Sequence, residues 1–474
     1  MTEERRLASH WTKVATAWLP FADAASADLP LSRLLRLALF QVSVGMAAVL
    51  LNGTLNRVMI VELSIPAWLV ALMIAIPLLV APLRALIGHR SDTHRSVLGW
   101  RRVPFIWFGT LMQFGGLAIM PFALLLLGRP GDEALGVAAS MLAFLFTGLG
   151  MHMTQTAGLA LATDLAPEDK RPRAVALLYV MLLLGMMVAA LSMGALLVDF
   201  TPTRLVQVIQ GAAVLTFLLN IVALWKQEAR NAPSPRQEEI PPAFGELWRA
   251  FIARGRTPRL LATIGIGAAG FAMQDALLEP YGGEILGLSV GATTALTGAW
   301  AAGALAGFAM SGRVLSDGGD PLRLAGNGLV VGVAAFLMIL FAAPFQSTAM
   351  LFAGGCAIGL GLGLFSVGTL IEAMGLAKRE GAGLVLGAWG AVQAGCAGLA
   401  VALGGIFRDF ISAQATRGHL GFALGDPATG YAAVYCLEIL ILLASLVALG
   451  PLVSQNGERA FTASGPLGLR EFPT

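Results

Sequence analysis

Long apolar runs recur along the whole chain and are separated by short polar segments. A helix needs about 20 apolar residues to cross the hydrocarbon core of a bilayer, and twelve runs approach or exceed that length. Backbone groups inside lipid must bond within their own segment, so such runs form helices rather than separate strands. The predicted spans are 34–55, 67–87, 104–127, 135–161, 174–198, 205–225, 260–280, 289–312, 325–343, 348–374, 382–404 and 431–453. This pattern predicts an all-α membrane protein with twelve transmembrane helices.

The composition agrees with this fold class. Hydrophobic residues make up 57% of the chain and charged residues only 12%, whereas a soluble domain carries about 25% charged residues. The chain therefore cannot cover a water-facing surface of ordinary size, and we expect membrane lipids and no nucleic acid as partners. Glycine accounts for 57 of the 474 residues, which is typical of helices that pack closely in lipid through small residues.

The positive charges are distributed asymmetrically among the loops. If the N-terminus is cytoplasmic, 26 of the 31 lysines and arginines fall on the cytoplasmic side. The other side receives Arg57, Arg129, Arg204, Arg408 and Arg417. Cytoplasmic loops of membrane proteins carry an excess of lysine and arginine, so we predict a multi-pass protein of the bacterial inner membrane with both termini cytoplasmic.

The longest polar connection divides the chain into two parts. We predict a cytoplasmic N-terminal segment at 1–33, a first six-helix half at 34–225, a cytoplasmic linker at 226–259, a second six-helix half at 260–453 and a cytoplasmic tail at 454–474. Within the linker, apolar residues recur at the spacing of one helical face. They are Phe244, Leu247, Trp248, Phe251 and Ile252. This spacing, with bases nearby, predicts a short helix lying on the membrane surface.

Two loops repeat one pattern, a glycine followed by an acid and then by bases. The residues are Gly88, Asp92, Arg101 and Arg102 between predicted helices 2 and 3, and Gly312, Asp317 and Arg323 between predicted helices 8 and 9. We predict a structural role: the acid caps a neighbouring helix N-terminus, and the bases pair with carboxylates across the two halves. The pattern resembles the Gly-x-x-x-Asp signature of the major facilitator superfamily, which implies two pseudo-symmetric six-helix halves.

Longer strings resemble one branch of that superfamily. They are 52–63 (Asn-Gly-Thr-Leu-Asn-Arg-Val-Met-Ile-Val-Glu-Leu), 102–107 and 109–116. They are similar to the bacteriochlorophyll delivery family of PucC and LhaA type, and the resemblance extends through nearly all twelve predicted helices. It implies assembly of light-harvesting complexes in the intracytoplasmic photosynthetic membrane of purple bacteria, either by handing bacteriochlorophyll to antenna polypeptides or by chaperoning those polypeptides. We favour the LhaA-like member, which serves the LH1 core antenna, over the member that serves the peripheral antenna.

The same resemblance implies particular cofactors and partners. Bacteriochlorophyll is the expected cofactor, with carotenoid as a second candidate pigment. The expected protein partners are the antenna α and β polypeptides, reaction centre–LH1 assembly intermediates and pigment-synthesis enzymes. The chain has no phosphate loop, no HExxH motif and no Cys/His metal spacing, so we do not expect an enzyme.

His152 is the one histidine within a predicted span. An ionisable or polar residue inside the membrane is a functional candidate, and an imidazole could ligate the magnesium of a chlorin ring. Gln155 and Gln113 are weaker candidates for the same role. The alternative, which we weight more heavily, is a histidine that forms a hydrogen bond to a neighbouring helix.

A second group of polar residues is predicted at the outer ends of helices 1 and 7. Its members are Asn56, Arg57, Glu62, Asp275 and Glu279. We expect Arg57 to pair with Asp275 or Glu279 and to close the outer face, and a substrate site is the alternative. At the inner ends of helices 4 and 10, Asp164 and Glu372 are expected to pair with loop bases.

Two main functions compete. The first is the pigment-handling assembly factor, which rests on the family resemblance. The second is a proton-coupled transporter of a small solute, and a membrane scaffold without cargo is a third. A transporter should carry converging charges near the midplane in both halves, whereas the midplane here holds few polar residues, namely His152, Gln155, Gln113, Gln210 and Gln393. This sparse polarity favours an apolar cargo.

Overall fold

The computed structural model describes residues 29–81, 100–167, 170–228, 255–380, 382–421 and 424–454. Within these residues the chain is helical and has no β-strand. The helices are α1 Leu31–Glu62, α2 Ala67–Leu79, α3 Val103–Leu127, α4 Glu133–Leu165, α5 Arg171–Leu196, α6 Pro202–Leu224, α7 Thr257–Glu284, α8 Val290–Ser316, α9 Pro321–Ala342, α10 Thr348–Glu380, α11 Ala382–Thr416 and α12 Ala428–Ser454. Gly88, Asp92, the predicted surface helix at 244–252 and most of the linker and terminal segments lie outside the described residues.

The twelve helices match the twelve predicted spans. In the described part of the chain, ten are long and apolar enough to cross a membrane. The other two are α2, which has 13 residues in the described range that ends at residue 81, and α8. The helix α8 has 27 residues and is diluted by threonine and glycine, which lowers its hydropathy without shortening it. The prediction of an all-α, multi-pass membrane protein is confirmed.

Several helices extend past the ends predicted from hydropathy. The helix α11 was predicted to end at 404 and continues to Thr416, so much of the predicted 405–430 loop is helical. Arg408 lies in this extension, and its guanidinium pairs with Asp409 at 2.8 Å and with Glu284 of α7. Charged side chains are tolerated in buried positions when they are paired, and hydropathy alone does not register that pairing.

Two equivalent helices of the halves depart from α-helical geometry. The helix α1 has wide π-helical turns at Leu50–Leu55 and Val58–Glu62, and α7 has a tight 3₁₀ turn at Met273–Ala276. Turns of this kind inside a long helix often mark functional positions. Both irregular stretches carry polar residues of the predicted outer group.

The pattern of helix packing repeats after six helices. In the first half α1 packs on α5 and α6, α3 packs on α4 and α6, and α2 packs on α4. In the second half α7 packs on α11 and α12, α9 packs on α10 and α12, and α8 packs on α10. Each pair in one half thus has its counterpart in the other, which confirms two pseudo-symmetric six-helix halves. The limits 34–225 and 260–453 stay predictions.

The halves meet along α2 with α11 and along α5 with α8. We call the end of the bundle where α1 finishes the Arg57 end, and the end where α3 begins the Arg102 end. Near the Arg57 end the hydroxyls of Thr54 and Thr294 lie 3.1 Å apart, and the backbone amide of Trp68 donates to Asp409 at 2.9 Å. At Gly194, a Cβ atom would lie 2.8 Å from the carbonyl oxygen of Gly291. Small residues therefore let the halves touch backbone to backbone.

Candidate functional site

His152 lies half-buried on α4 and reaches across to α2. Its Nε2 lies 3.1 Å from the carbonyl oxygen of Pro77. That carbonyl belongs to the last turn of α2, where carbonyl groups lack a partner within their own helix. The geometry therefore matches the alternative interpretation, a histidine hydrogen-bonded to a neighbouring helix. The role of His152 as a magnesium ligand stays a prediction.

Gln113 and Gln155 point toward α1. The Nε2 of Gln113, a fully buried residue, donates to the carbonyl of Ser43 at 3.0 Å. The Nε2 of Gln155 lies 3.4 Å from the Oε1 of Gln41. Both glutamines, named as weaker pigment ligands, thus have a part in helix packing.

Further polar side chains next to Gln113 were not predicted from the sequence. The hydroxyl of Ser43 bonds Asn220 of α6 at 2.8 Å, and Asn220 donates to Thr110 of α3 at 2.8 Å. All three side chains are fully buried. We call Ser43, Thr110, Gln113 and Asn220 the first-half polar network. A single polar residue inside an apolar run is the signal that could have identified Ser43 and Asn220.

Arg57 does not pair with Asp275 or Glu279, so that prediction is wrong. Its guanidinium, in a residue only 5% exposed, pairs with Glu62 of the same helix. Another of its nitrogens donates to the main-chain carbonyl of Leu288 at 3.1 Å. The physical reason is the π-helical turn, because a helix bonded i to i+5 brings residues five apart into reach. Arg57 still joins the halves, through the Leu288 carbonyl.

The two acids of the outer group on α7, Asp275 and Glu279, form no ion pair with Arg57 in the described structure. Glu279, 5% exposed, accepts a short hydrogen bond from the hydroxyl of Thr297. Asn56, fully buried, donates to the main-chain carbonyl of Asp275 at 3.2 Å. The carboxylate of Asp275 accepts from the side chain of Gln274. The structure therefore brings Asn56 to Asp275 across the halves, as the grouping predicted, but by backbone contact.

A third acid, Glu438 of α12, belongs to this neighbourhood and was missed. It is fully buried and accepts from the backbone amide of Gln274 at 2.8 Å. Its second carboxylate oxygen has no hydrogen-bond partner within the described residues. We call the half-buried Asp275 and the buried Glu279 and Glu438 the buried acid cluster. No ion pair to a base is found for any of the three in the described part of the chain, and no described group of acids, histidines or cysteines has the arrangement of a metal site.

At the Arg102 end, Arg102 pairs with Asp164 at 3.0 Å. This confirms the pairing expected for Asp164, although the contact lies within the first half rather than across the halves. The N-terminus of α3 is capped by Glu228, whose carboxylate accepts from the backbone amides of Arg101 at 2.8 Å and Val103 at 2.9 Å. A carboxylate is stabilised there by the helix dipole. Glu228 follows α6 directly, and the sequence analysis did not assign it a role.

The second half caps its equivalent helix differently. Asp320, immediately before Pro321, accepts from the amides of Leu322 at 2.8 Å and Arg323 at 3.4 Å. The predicted capping acid was Asp317, which instead follows the last turn of α8 and whose carboxylate has no hydrogen bond to a described residue. The physical reason is distance along the chain: Asp320 is the residue immediately before the first helical residue, from which a side chain reaches the free amides of the first turn, whereas Asp317 lies three residues further back.

The order of the helices, their division into two halves and the packing repeated in each half define the fold class of the protein. The fold is that of major facilitator superfamily transporters. A bacterial homologue of the human lysosomal transporter Spinster, solved in an inward-facing conformation, matches with a TM-score of 0.65 and 16% identity, covering 91% of this chain and 98% of that one. The nucleoside transporter NupG matches with a TM-score of 0.60 and 14% identity, covering 88% and 99%. At such identities the likeness shows the fold alone.

The chain belongs to the PucC family. The family model "PUCC protein" matches residues 54–457. The protein in the puhA–bchM intergenic region of Rhodobacter capsulatus is 53% identical over 470 residues, which cover 97% of this chain and 98% of that protein. Protein PucC of Rhodovulum sulfidophilum is 56% identical and covers 84% and 89%. The bacteriochlorophyll synthase 44.5 kDa chain of Rhodobacter capsulatus is 27% identical, covering 91% and 97%. The choice between an LhaA-like and a PucC-like member stays a prediction.

Proposed function

We propose that this chain is an assembly factor for bacterial light-harvesting complexes, which delivers bacteriochlorophyll to antenna polypeptides of the LH1 core or chaperones those polypeptides. The observation that carries the proposal is the family match over residues 54–457, together with PucC relatives in purple bacteria. The proposed partners are the antenna α and β polypeptides, reaction centre–LH1 intermediates and pigment-synthesis enzymes. The proposed location is the intracytoplasmic membrane with both termini in the cytoplasm.

The polar groups of the first half support an apolar cargo. Gln113 donates to Ser43, and Asn220 donates to Thr110. These groups hold helices together inside the half, because unpaired polar groups in an apolar interior are costly. They are therefore not available to bind a polar solute on its way through the bundle.

His152 fits the role of pigment ligand better than Gln113 does. Bound bacteriochlorophyll would supply the absorbing chlorin ring, and the His152 imidazole would hold its magnesium. The carboxamide oxygen of Gln113 has no partner among the described residues, but the residue is fully buried among packed helices, where a chlorin ring has no access. His152 is only half-buried, and magnesium ligation by its Nε2 would replace the hydrogen bond to Pro77. Such bonds between membrane helices contribute only about 0.6 kcal/mol on average.

Near-infrared absorption of the protein purified from a pigment-producing strain tests the proposal. We expect bacteriochlorophyll to copurify with the wild type, and the LH1 absorption of membranes to fall when the gene is deleted. His152→Leu should lower both signals while leaving the folded yield unchanged, because leucine keeps the bulk and the apolar character. His152→Gln is the matched variant, since glutamine can still donate to Pro77 but ligates magnesium more weakly.

The outcomes separate the ligand from the function. Full pigment content in His152→Leu, with normal LH1, would reject His152 as the ligand while leaving the assembly role in place. A deletion strain with normal LH1 and normal pigment content would reject the assembly role. Pigment loss in His152→Leu but not in His152→Gln would assign the effect to the lost Pro77 bond instead of to magnesium.

The buried acid cluster favours a second candidate, a proton-coupled transporter. Carboxyl side chains inside a membrane bundle often carry protons along a transport path. Asp275, Glu279 and Glu438 lie on α7 and α12 without a paired base among the described residues. A pH-dependent uptake signal in proteoliposomes would support this function, and its loss in Glu438→Gln would assign the signal to the cluster.

A further inference from the structure

An elongated groove lies between α9 and α12 at the Arg102 end of the second half. Its cavity has a volume of about 310 Å³. The residues that matter here are Arg323, Asn327 and Val330 on α9 and Leu446, Leu449 and Gly450 on α12. The halves meet along α2, α5, α8 and α11, and Val330 of α9 and Gly450 of α12 are exposed, so the groove lies on the side of the bundle rather than inside it. We call it the α9–α12 groove.

The α9 wall of the groove changes character along the helix axis. Arg323, Asn327 and Val330 are spaced i, i+4 and i+7, which places them on one face. A rise of 1.5 Å per residue puts Asn327 about 6 Å and Val330 about 10 Å further along the helix than Arg323. All three side chains are exposed. The order is therefore charge, carboxamide and hydrocarbon, read from the end of the bundle inward.

The two polar side chains of this wall have no protein partner within the residues that the structure describes. The Arg323 guanidinium makes no hydrogen bond or ion pair there, and the Asn327 carboxamide makes no hydrogen bond. Asp320, the acid nearest to Arg323 in sequence, is occupied in capping α9. A carboxamide one turn inside a lipid-facing helix end is costly unless something satisfies it.

The repeat of the two halves allows Arg323 to be compared with Arg102, a base near the same end of the first half. Arg102, the base just before α3, is 5% exposed and paired with Asp164, which lies near the end of α4. If Arg323, a base in the first turn of α9, had the same role, it would pair with Glu372 on α10, but no such ion pair forms among the described residues. Arg256 and Asp320 are the charged groups close to Glu372. Arg323 therefore does not hold helices together in the second half as Arg102 does in the first.

We propose that the α9–α12 groove binds an anionic phospholipid. The phosphate contacts Arg323, the ester region contacts Asn327, and an acyl chain lies along Val330, Leu446 and Leu449. Arg323 is the one ionisable residue among those that line the groove, so the lining offers no acid to receive the ammonium of a zwitterionic headgroup. The wall therefore selects a headgroup with net negative charge.

Native mass spectrometry of the purified full chain in detergent, titrated with phosphatidylglycerol or with phosphatidylcholine, tests the proposal. The wild type should retain phosphatidylglycerol more tightly than phosphatidylcholine. Arg323→Gln should weaken phosphatidylglycerol binding about tenfold, since a hydrogen bond to a charged group stabilises a complex by about 1.4 kcal/mol or more. Arg313→Gln is the matched control, because Arg313 is an exposed base at the same end of the bundle, on α8, outside the groove.

A second variant tests the apolar part of the groove with Arg323 intact. A Cβ atom at Gly450 would meet no atom within 4 Å, so Gly450→Leu fills the groove without disturbing its walls. We expect unchanged folded yield and loss of the retained lipid.

Three results would overturn the proposal. The first is equal retention of the two lipids, and the second is equal weakening by Arg323→Gln and Arg313→Gln. The third is a Gly450→Leu variant that keeps phosphatidylglycerol but loses a copurifying polypeptide, which would assign the groove to a protein helix. None of these results bears on the assembly role, because the assembly role is read from pigment and LH1 content.

Discussion

Replacing Arg57 with leucine should lower the free energy of unfolding by about 2–4 kcal/mol. The guanidinium makes two contacts, one to Glu62 and one to the Leu288 carbonyl at 3.1 Å. A hydrogen bond from a charged donor contributes about 1.5–3 kcal/mol. The pair with Glu62 adds about 0.5–1 kcal/mol at most, because the Glu62 side chain is 39% exposed and solvent screens the interaction. Arg129→Leu, which removes an exposed base at the same end, should cost less than about 0.5 kcal/mol.

Double-mutant cycles identify the acid to which Arg57 is coupled. Coupling of Arg57→Leu with Glu62→Gln should be about 0.5–1 kcal/mol. Coupling with Asp275→Asn or with Glu279→Gln should stay within about 0.5 kcal/mol of zero, the range expected for residues that share no contact. Unfolding in mixed micelles titrated with sodium dodecyl sulfate, followed by circular dichroism, measures each variant. A larger coupling to Asp275 or Glu279 than to Glu62 would refute the π-helical pairing and restore the pairing inferred from sequence.

The topology and the two helix caps give three further predictions. Reporter fusions at Thr474 and after His419 should report opposite sides of the membrane, and the same side for both would contradict the topology. Glu228→Ala should lower the thermal unfolding temperature in detergent by removing the cap of α3, at a cost of about 1 kcal/mol, and an unchanged temperature would contradict the cap. Asp320→Ala should cost about 1 kcal/mol in the same measurement, whereas Asp317→Ala should cost almost nothing, and the reverse order would restore Asp317 as the cap.

Hydropathy was sufficient to predict the number and order of the helices. Lipid gives a single rule, that every backbone group bonds inside its own segment, and the rule holds wherever the apolar run is long enough. It failed at helix ends, where paired charges such as Arg408 with Glu284 of α7 continue a helix past its apolar part. The ends of such helices depend on contacts with residues far away in sequence, and a hydropathy profile carries no information about those contacts.

The polar residues were easier to find than to pair. Asn56, Arg57 and Glu279 do lie together near the Arg57 end, but the pairing of Arg57 with Glu62 depends on a π-helical turn that an α-helical interpretation does not anticipate. Glu438 was missed because its partner amide, that of Gln274, lies 164 residues away. The sequence identified the polar side chains that lie within apolar spans, whereas the three-dimensional packing determined what each of them contacts.

The two halves share their helix packing but differ in the polar residues that they bury. The substitution Glu438→Gln tests whether the acids of the second half are needed for function. In the interior of the first half neutral groups such as Ser43 and Asn220 bond to each other, whereas the second half buries the acids Glu279 and Glu438 beside the half-buried Asp275. Glutamine keeps the volume of Glu438 and the oxygen that accepts from the Gln274 amide at 2.8 Å, so the folded yield should not change. Under the proposed assembly role, which requires no proton transfer, near-infrared absorption should then show LH1 at the wild-type level. A loss of LH1 at normal folded yield would contradict this expectation, and it would mean that an exchangeable proton on the acid cluster, and hence a coupled transport step, is part of the function.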